Sequence, residues 1–311
     1  MPPKDNKQLF LFPSSGSSEN HIIGNPNSFP QSKPAKVGKT AVEYIDSTSL
    51  LTSPKGFIKA YKFTLNPYTG CSFGCDYCYA RFFAPSLEKQ QDWGNWVKVK
   101  QNAVDLLRRA RRARSQKRRL EEGDAIYMSS VTDPYQPIEH KVGLTRSLLE
   151  ELIEVQPRLT IQTRSPLALR DIDLFQQFQH IRINYTIPTD SEEIRERYEP
   201  HCPAIEVRLK SAKDLAEAGI PIGISISPML PIKDAEKFGK QIAELRASEY
   251  VTQFFKPTRS RFSAGTSASA VQKMEEDHWT EQEYDQAKTI ISNILGEQRP
   301  LLEGSEGYAP V

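Results

Sequence analysis

Three of the chain's four cysteines fall within eight residues, Cys71-x3-Cys75-x2-Cys78, inside the stretch LNPYTGCSFGCDYCYARFF. Three thiolates on one tight loop can converge on a single centre, and thiolate sulfur favours zinc or iron-sulfur chemistry. A structural zinc site normally takes four protein ligands. The fourth cysteine, Cys202, stands 124 residues beyond Cys78, between His201 and Pro203, where the local sequence reads as a loop at the start of a helix. It is either that fourth ligand or a structural thiol. A cubane iron-sulfur cluster on three cysteines needs no fourth protein ligand and leaves one iron open to an exogenous one. Such clustered spacing is unlike a secreted disulfide framework and fits metal binding in a reducing compartment.

The elements that must hold this loop follow it in a regular alternation. Six strands are expected, at residues 61–68, 124–130, 158–165, 181–187, 221–230 and 250–257. Helical periodicity fills the gaps at about 95–120, 143–155, 170–178, 204–218, 234–247 and 280–295. Gly219 and Pro221 form a stop signal and Asp234 stands at a capping position. Strand followed by helix, repeated, implies a parallel sheet with right-handed crossovers, either open or closed into a barrel. Chemistry then belongs at the C-terminal strand ends. Polar residues gather there: Asn66 and Tyr68, then Ser129, Ser130, Thr132 and Asp133, then Thr163, Arg164 and Ser165. Asn184, Thr186, Ser225, Ser227 and Lys256 continue the series.

The cysteine motif, with Tyr77 just before its last cysteine and five more strand-helix units behind it, resembles the radical S-adenosylmethionine superfamily. NPYTGCSFGCDYCYAR, VTDPYQPIE, TRSPLALRDIDLF and LAEAGIPIGISISPMLP together are similar to the subgroup named after spore photoproduct lyase, over residues 42–257. The resemblance implies a partial six-stranded α/β barrel of the TIM type. It implies a 4Fe-4S cluster on Cys71, Cys75 and Cys78, with S-adenosylmethionine chelating the open iron and a reducing partner such as flavodoxin or ferredoxin. Reductive cleavage would yield a 5′-deoxyadenosyl radical that abstracts hydrogen from substrate. By motif, the cofactor contacts fall on Thr132, Asp133, Arg164, Asn184 and Thr186, with Arg164 anchoring the methionine carboxylate through charge-assisted hydrogen bonds. Tyr77 and Tyr79 match tyrosines assigned to radical transfer in the lyase, and equally suit shielding of the cluster from water. Ser130 stands where the lyase has a hydrogen-donating cysteine, so repair of the spore lesion by the same route is not expected.

Three further regions complete the reading. Residues 98–119 hold ten Lys or Arg and one acid, Asp105, and a helix with positive charge around most of its circumference suits phosphate neutralisation. Residues 1–38, rich in Ser, Pro, Asn and Gly, read as a flexible arm, residues 39–257 as the barrel. Residues 258–311, with Arg259 and Arg261, read as an extension over the barrel mouth or, around Gly265, as a linker. Hydrophobic residues are 38% and charged residues 26%, and no run approaches eighteen apolar residues, so a membrane span is excluded and a cytoplasmic enzyme expected. The competing reading is a non-catalytic iron-sulfur or zinc protein that binds nucleic acid through its basic helix.

Overall fold

A computed structural model describes residues 32–255 and 267–311. Most of the expected N-terminal arm, together with Lys256, Arg259, Arg261 and Gly265, lies outside the described residues.

All six expected strands form, as β1 (Phe63–Leu65), β2 (Ala125–Met128), β3 (Arg158–Thr163), β4 (Ile181–Thr186), β5 (Ile222–Met229) and β6 (Glu249–Phe254). They lie side by side in chain order and all run parallel. A seventh, β7 (Leu301–Glu303), adds in parallel beside β6, and Leu51–Thr52 closes the other edge antiparallel to β1. One main helix serves each crossover: α1 (Ala103–Arg111), α2 (Leu144–Ile153), α3 (Ile172–Phe175), α4 (Ile205–Glu217), α5 (Ala235–Glu244) and α6 (Glu281–Leu295). The alternation left open sheet and barrel undecided, and the result is the partial barrel that the family resemblance implies. Asp234 caps α5 by accepting from the Lys237 amide at 2.9 Å, and Gly219 takes φ +81° after α4.

Every residue of β4 is buried, as a strand covered on both faces requires. Its alternation nevertheless separates Ile181, Ile183 and Tyr185 from Arg182, Asn184 and Thr186. The polar set faces the lumen, where it bonds to its equivalents on neighbouring strands. Tyr127 donates to Gln162 at 2.8 Å, and Gln162 donates to Thr186 at 2.6 Å.

Four expectations require correction. Residues 95–102 are not helical: Trp96–Lys100 is a strand, parallel to Thr40–Ile45 and antiparallel to Tyr68–Thr69. Its WVKVK pattern buries Trp96, Val97 and Val99, and β-branched packing overrides the helical reading. α1 stops at Arg111, and residues 112–120 turn, since consecutive arginines at helical spacing repel one another. The helix expected at 170–178 is a 3-10 segment, Pro166–Asp171, followed by the single turn of α3. Order begins before residue 38, because Lys36–Val37 pairs with Thr40 and Ala41.

The last residues close the base of the barrel. The Ala309 carbonyl accepts from Tyr61 at 3.0 Å and Arg182 at 2.8 Å, while Tyr308 meets Ser227 and Ser225 in the lumen. Arg182 also pairs with Glu249 at 2.8 Å. Burial pushes the Glu249 carboxyl up to about 7 from 4.5, against the opposing pull of Arg182. The native carboxyl thus holds its proton to higher pH than the unfolded one, so the associated stability is complete below about 4.5 and lost as pH rises through about 7. Glu249→Gln is expected to flatten the stability profile across that window by up to about 3 kcal/mol. Urea denaturation of both proteins at a series of pH values measures this, and parallel profiles would contradict it.

Candidate active site

The cysteine loop begins one residue after the short strand Tyr68–Thr69 and ends at the 3-10 turn Tyr79–Phe83. Its glycines are required by space as well as by backbone. Gly70 has φ +83°, and a Cβ there would sit 2.7 Å from both the ring and the carbonyl of Trp96. Gly74 has φ +56°, with a Cβ position 3.0 Å from Gly94. Two turns, Gly74 amide to Cys71 carbonyl at 3.2 Å and Cys78 amide to Cys75 carbonyl at 3.1 Å, set the thiols.

The segment after β2 clamps this loop. Thr132 donates to the Gly70 carbonyl at 2.7 Å, and Gln136 donates to Thr132 at 3.0 Å while accepting from the Ser72 amide at 2.9 Å. Asp133 is buried and accepts from Thr163 at 2.8 Å, from the Tyr135 amide at 2.9 Å and from the Arg164 amide at 3.0 Å. Burial raises its pKa despite Arg164 and these donors. Asp133 therefore splices the ends of β2 and β3 together. Ser130 accepts from Asn66 at 3.3 Å, and its carbonyl accepts from Tyr79.

Arg164 reaches from the end of β3 onto the loop. Its Nη1 lies 2.7 Å from Cys75 Sγ, 2.6 Å from Glu199 Oε1 and 3.2 Å from the Tyr77 hydroxyl. Tyr77 in turn donates to Glu199. The second oxygen of Glu199 is 2.6 Å from Arg208 Nη2, and neither Glu199 nor Arg208 has any side-chain exposure. Burial opposes ionisation of Glu199, but Arg208 and Arg164 outweigh it and hold the carboxyl below its usual range. Two guanidiniums against one carboxylate leave a surplus of positive charge beside Cys75.

The fold also brings Cys202 back, to 3.5 Å from Cys75 Sγ. Its loop is stapled by Arg195, which donates to the Glu199 and Cys202 carbonyls at 3.2 Å each, and by Arg208, which donates to the Pro203 carbonyl at 2.8 Å. Cys75, Glu199 and Cys202 offer ligand atoms within 4.8 Å of one another. Arg164 Nη1 contacts both Cys75 and Glu199 there, so a guanidinium already fills the place of a cation, and a zinc site on this trio does not fit.

Asn184 and Thr186 stand apart, deeper in the lumen. Asn184 Oδ1 accepts from Arg182 at 3.0 Å, while its buried Nδ2 has no partner among the described residues. Beside the loop on its other side, Asp76 accepts from Ser267 at 3.2 Å, Ser269 at 2.8 Å and Lys273 at 2.7 Å, docking the helix Ala268–Glu276.

Residues 65–242 match the family model described as the radical SAM superfamily. The chain belongs to that superfamily. An uncharacterized protein of Methanocaldococcus jannaschii is 36% identical over 246 residues, 79% of this chain and 85% of that protein. One from Mycobacterium tuberculosis is 26% identical over 199 residues, and the chain spans just 57% of its length. Among solved structures, spore photoproduct lyase complexed with dinucleoside spore photoproduct gives a TM-score of 0.53 at 19% identity, over 79% of this chain and 69% of the lyase. A single-residue variant of that lyase gives 0.57 at 15%, over 82% and 77%. At such identities the likeness establishes the fold, a radical SAM partial barrel.

A radical SAM enzyme carries an iron-sulfur cluster and S-adenosylmethionine, and the residues here fit both. Cys71, Cys75 and Cys78 share one loop at the barrel mouth, and burial raises the pKa of the Cys71 and Cys78 thiols, so their thiolates need a cationic partner such as iron. The surplus charge of Arg164 and Arg208 suits an anionic cluster, and the orphaned Asn184 Nδ2 suits a polar ligand in the lumen. Glu199 and Arg208 were not read from the sequence. Arg208 did leave a signal: it occupies a position in the apolar stripe Ile205, Ala212, Leu215, where a charge must have a buried partner.

Proposed function

We propose that this radical SAM enzyme reductively cleaves S-adenosylmethionine at a 4Fe-4S cluster on Cys71, Cys75 and Cys78, and abstracts hydrogen from a nucleic-acid substrate. The observation that carries the cluster assignment is the three-cysteine loop at the C-terminal end of β1 with buried positive charge against Cys75. When bound, the cluster and S-adenosylmethionine supply an electron and the 5′-deoxyadenosyl radical. The chain's own groups hold and orient them. Thr132 fixes the loop through the Gly70 carbonyl, and Asp133 places Arg164. Among the described residues, the Arg164 side chain makes its contacts through Nη1, which leaves Nη2 to take the methionine carboxylate. Asn184 Nδ2 and the Thr186 hydroxyl are the lumen groups for the adenosyl portion. Tyr77 and Tyr79 both have protein acceptors for their hydroxyls, which supports a role in excluding water at the cluster. The helix Ala268–Glu276, docked on Asp76, serves as the substrate cover.

Support for a nucleic-acid substrate comes from α1 and the turn after it. Arg108 and Arg111 pair with Glu151, at 2.6 Å and 3.7 Å. Arg109, Arg112, Arg114, Lys117 and Arg118 are exposed and have no acidic partner among the described residues. Five such exposed cations within residues 109–118 suit a phosphate backbone.

Anaerobic reconstitution, iron and sulfide determination, and reduction with S-adenosylmethionine test the chemistry. Formation of 5′-deoxyadenosine is expected, and an unperturbed cluster spectrum with none formed would refute the reading. For the substrate class, neutralising those five cations is expected to weaken DNA or RNA binding and flatten its salt dependence, by a slope of roughly 0.9 per lost phosphate contact on duplex DNA. Binding that is unchanged would remove nucleic acid from the proposal. Spore-lesion repair is expected to be absent, because the Ser130 hydroxyl is a poor hydrogen-atom donor.

A further inference from the structure

The buried chain Arg208–Glu199–Arg164 ends on a cysteine sulfur, and such a chain has a use beyond holding a loop. Glu199 is brought to Cys75 from 124 residues away, on a segment fixed by two arginines and by the Asp76 amide, which donates to the Tyr198 carbonyl at 2.9 Å. Its carboxylate takes Arg208 on one oxygen and Arg164 on the other, both at 2.6 Å. Arg164 Nη1 is thereby shared between Glu199 Oε1 and Cys75 Sγ. Asp133, the other carboxylate near Arg164, is directed at the main chain and Thr163 and leaves the guanidinium head to Glu199.

We infer that Glu199 and Arg208 set the reduction potential of the cluster ligated at Cys75 through the net charge they place around the Arg164 guanidinium. This rests on the cluster reading above and deepens it. Reduction adds one electron to the cluster, supplied by a low-potential one-electron donor protein, and no proton need accompany it. Positive charge at a ligand sulfur stabilises the reduced form, and with Glu199 and Arg208 fully buried the effect is weakly screened. The charge that matters is the surplus of the triad, so each member shifts the potential in a direction fixed by its sign.

Redox titration of the reconstituted cluster, followed by electron paramagnetic resonance without S-adenosylmethionine, reads this directly. Glu199→Gln leaves two uncompensated guanidiniums and is expected to raise the midpoint potential. Arg208→Gln, which touches no cysteine, is expected to lower it, and Glu199→Gln/Arg208→Gln together are expected to return it close to the wild-type value. A purely structural role predicts no such alternation of sign. Potentials unchanged in both single variants, or shifted the same way, overturn the inference. Should Glu199→Gln fail to take up iron, Arg208→Gln decides alone: a downward shift supports the inference, and an unchanged or raised potential overturns it. Unchanged potentials in protein that still forms 5′-deoxyadenosine would overturn this inference alone. Wild-type protein that assembles no cluster on Cys71, Cys75 and Cys78 would overturn both.

Discussion

Cys71→Ala, Cys75→Ala and Cys78→Ala are each expected to abolish 5′-deoxyadenosine formation and to lose most of the iron taken up on reconstitution. Cys202→Ser is expected to keep its iron, although its sulfur lies only 3.5 Å from that of Cys75. The contrast matters because distance alone would group Cys202 with the ligands. Two sulfurs bound to one tetrahedral metal would stand almost this close, since each metal-sulfur bond is about 2.3 Å. Against one metal shared by these two sulfurs stands Arg164, whose Nη1 lies 2.7 Å from Cys75 Sγ, 2.6 Å from Glu199 Oε1 and 4.0 Å from Cys202 Sγ and so takes up the space common to the three. A cation there would meet a guanidinium. Iron and zinc content by mass spectrometry, with the 5′-deoxyadenosine assay, checks all four variants. Loss of metal in Cys202→Ser as complete as in Cys75→Ala would make the centre a four-cysteine site and restore zinc as its occupant.

Glu199→Ala is expected to carry the largest cost in stability of any single side-chain truncation at this site. It leaves the fully buried Arg208 and the partly buried Arg164 without their shared carboxylate. Breaking a buried pair from one side typically costs about 3–5 kcal/mol, whereas removing both partners is often close to neutral. Glu199→Ala combined with Arg208→Leu should therefore recover a large part of the loss, since Arg208 lies in the apolar stripe of α4. Urea unfolding of the metal-free proteins, with midpoints and slopes compared, measures both effects. A double variant as unstable as Glu199→Ala would show that the two residues do not act as a pair.

The six strands were legible because their alternation and turn signals agree with the way the sheet is built. β4 is a clear case: Arg182, Asn184 and Thr186 alternate with two isoleucines and Tyr185, and the structure separates the two sets by face. The cysteine loop was legible from spacing alone, a local property. What escaped was non-local. Trp96–Lys100 became a strand because Tyr68–Thr69 and Thr40–Ile45 flank it, and no window around WVKVK contains either partner. β7 is three residues long and gains its identity from Tyr250, Val251 and Thr252, about fifty positions earlier. Glu199 reads as an ordinary surface acid in SEEIRERYEP until the chain folds it against Arg164. Long-range electrostatic partners leave a trace in sequence only where they break a pattern, as Arg208 does in its helix.

The tail that closes the barrel has a consequence for how such an enzyme changes its substrate. Tyr308 enters the lumen from below, and Gly307 packs so closely on Val251 that a Cβ there would lie 2.1 Å from a methyl group. The lumen is thus lined jointly, for Tyr308 meets the ring of Tyr127 on β2 edge-on, with 6.3 Å between centroids, and its hydroxyl acts electrostatically on Tyr79 in the turn that ends the cysteine loop. A plug of this kind is coupled to its vessel. Trimming or enlarging this one aromatic would alter the room beside the strands and be felt at the loop as well.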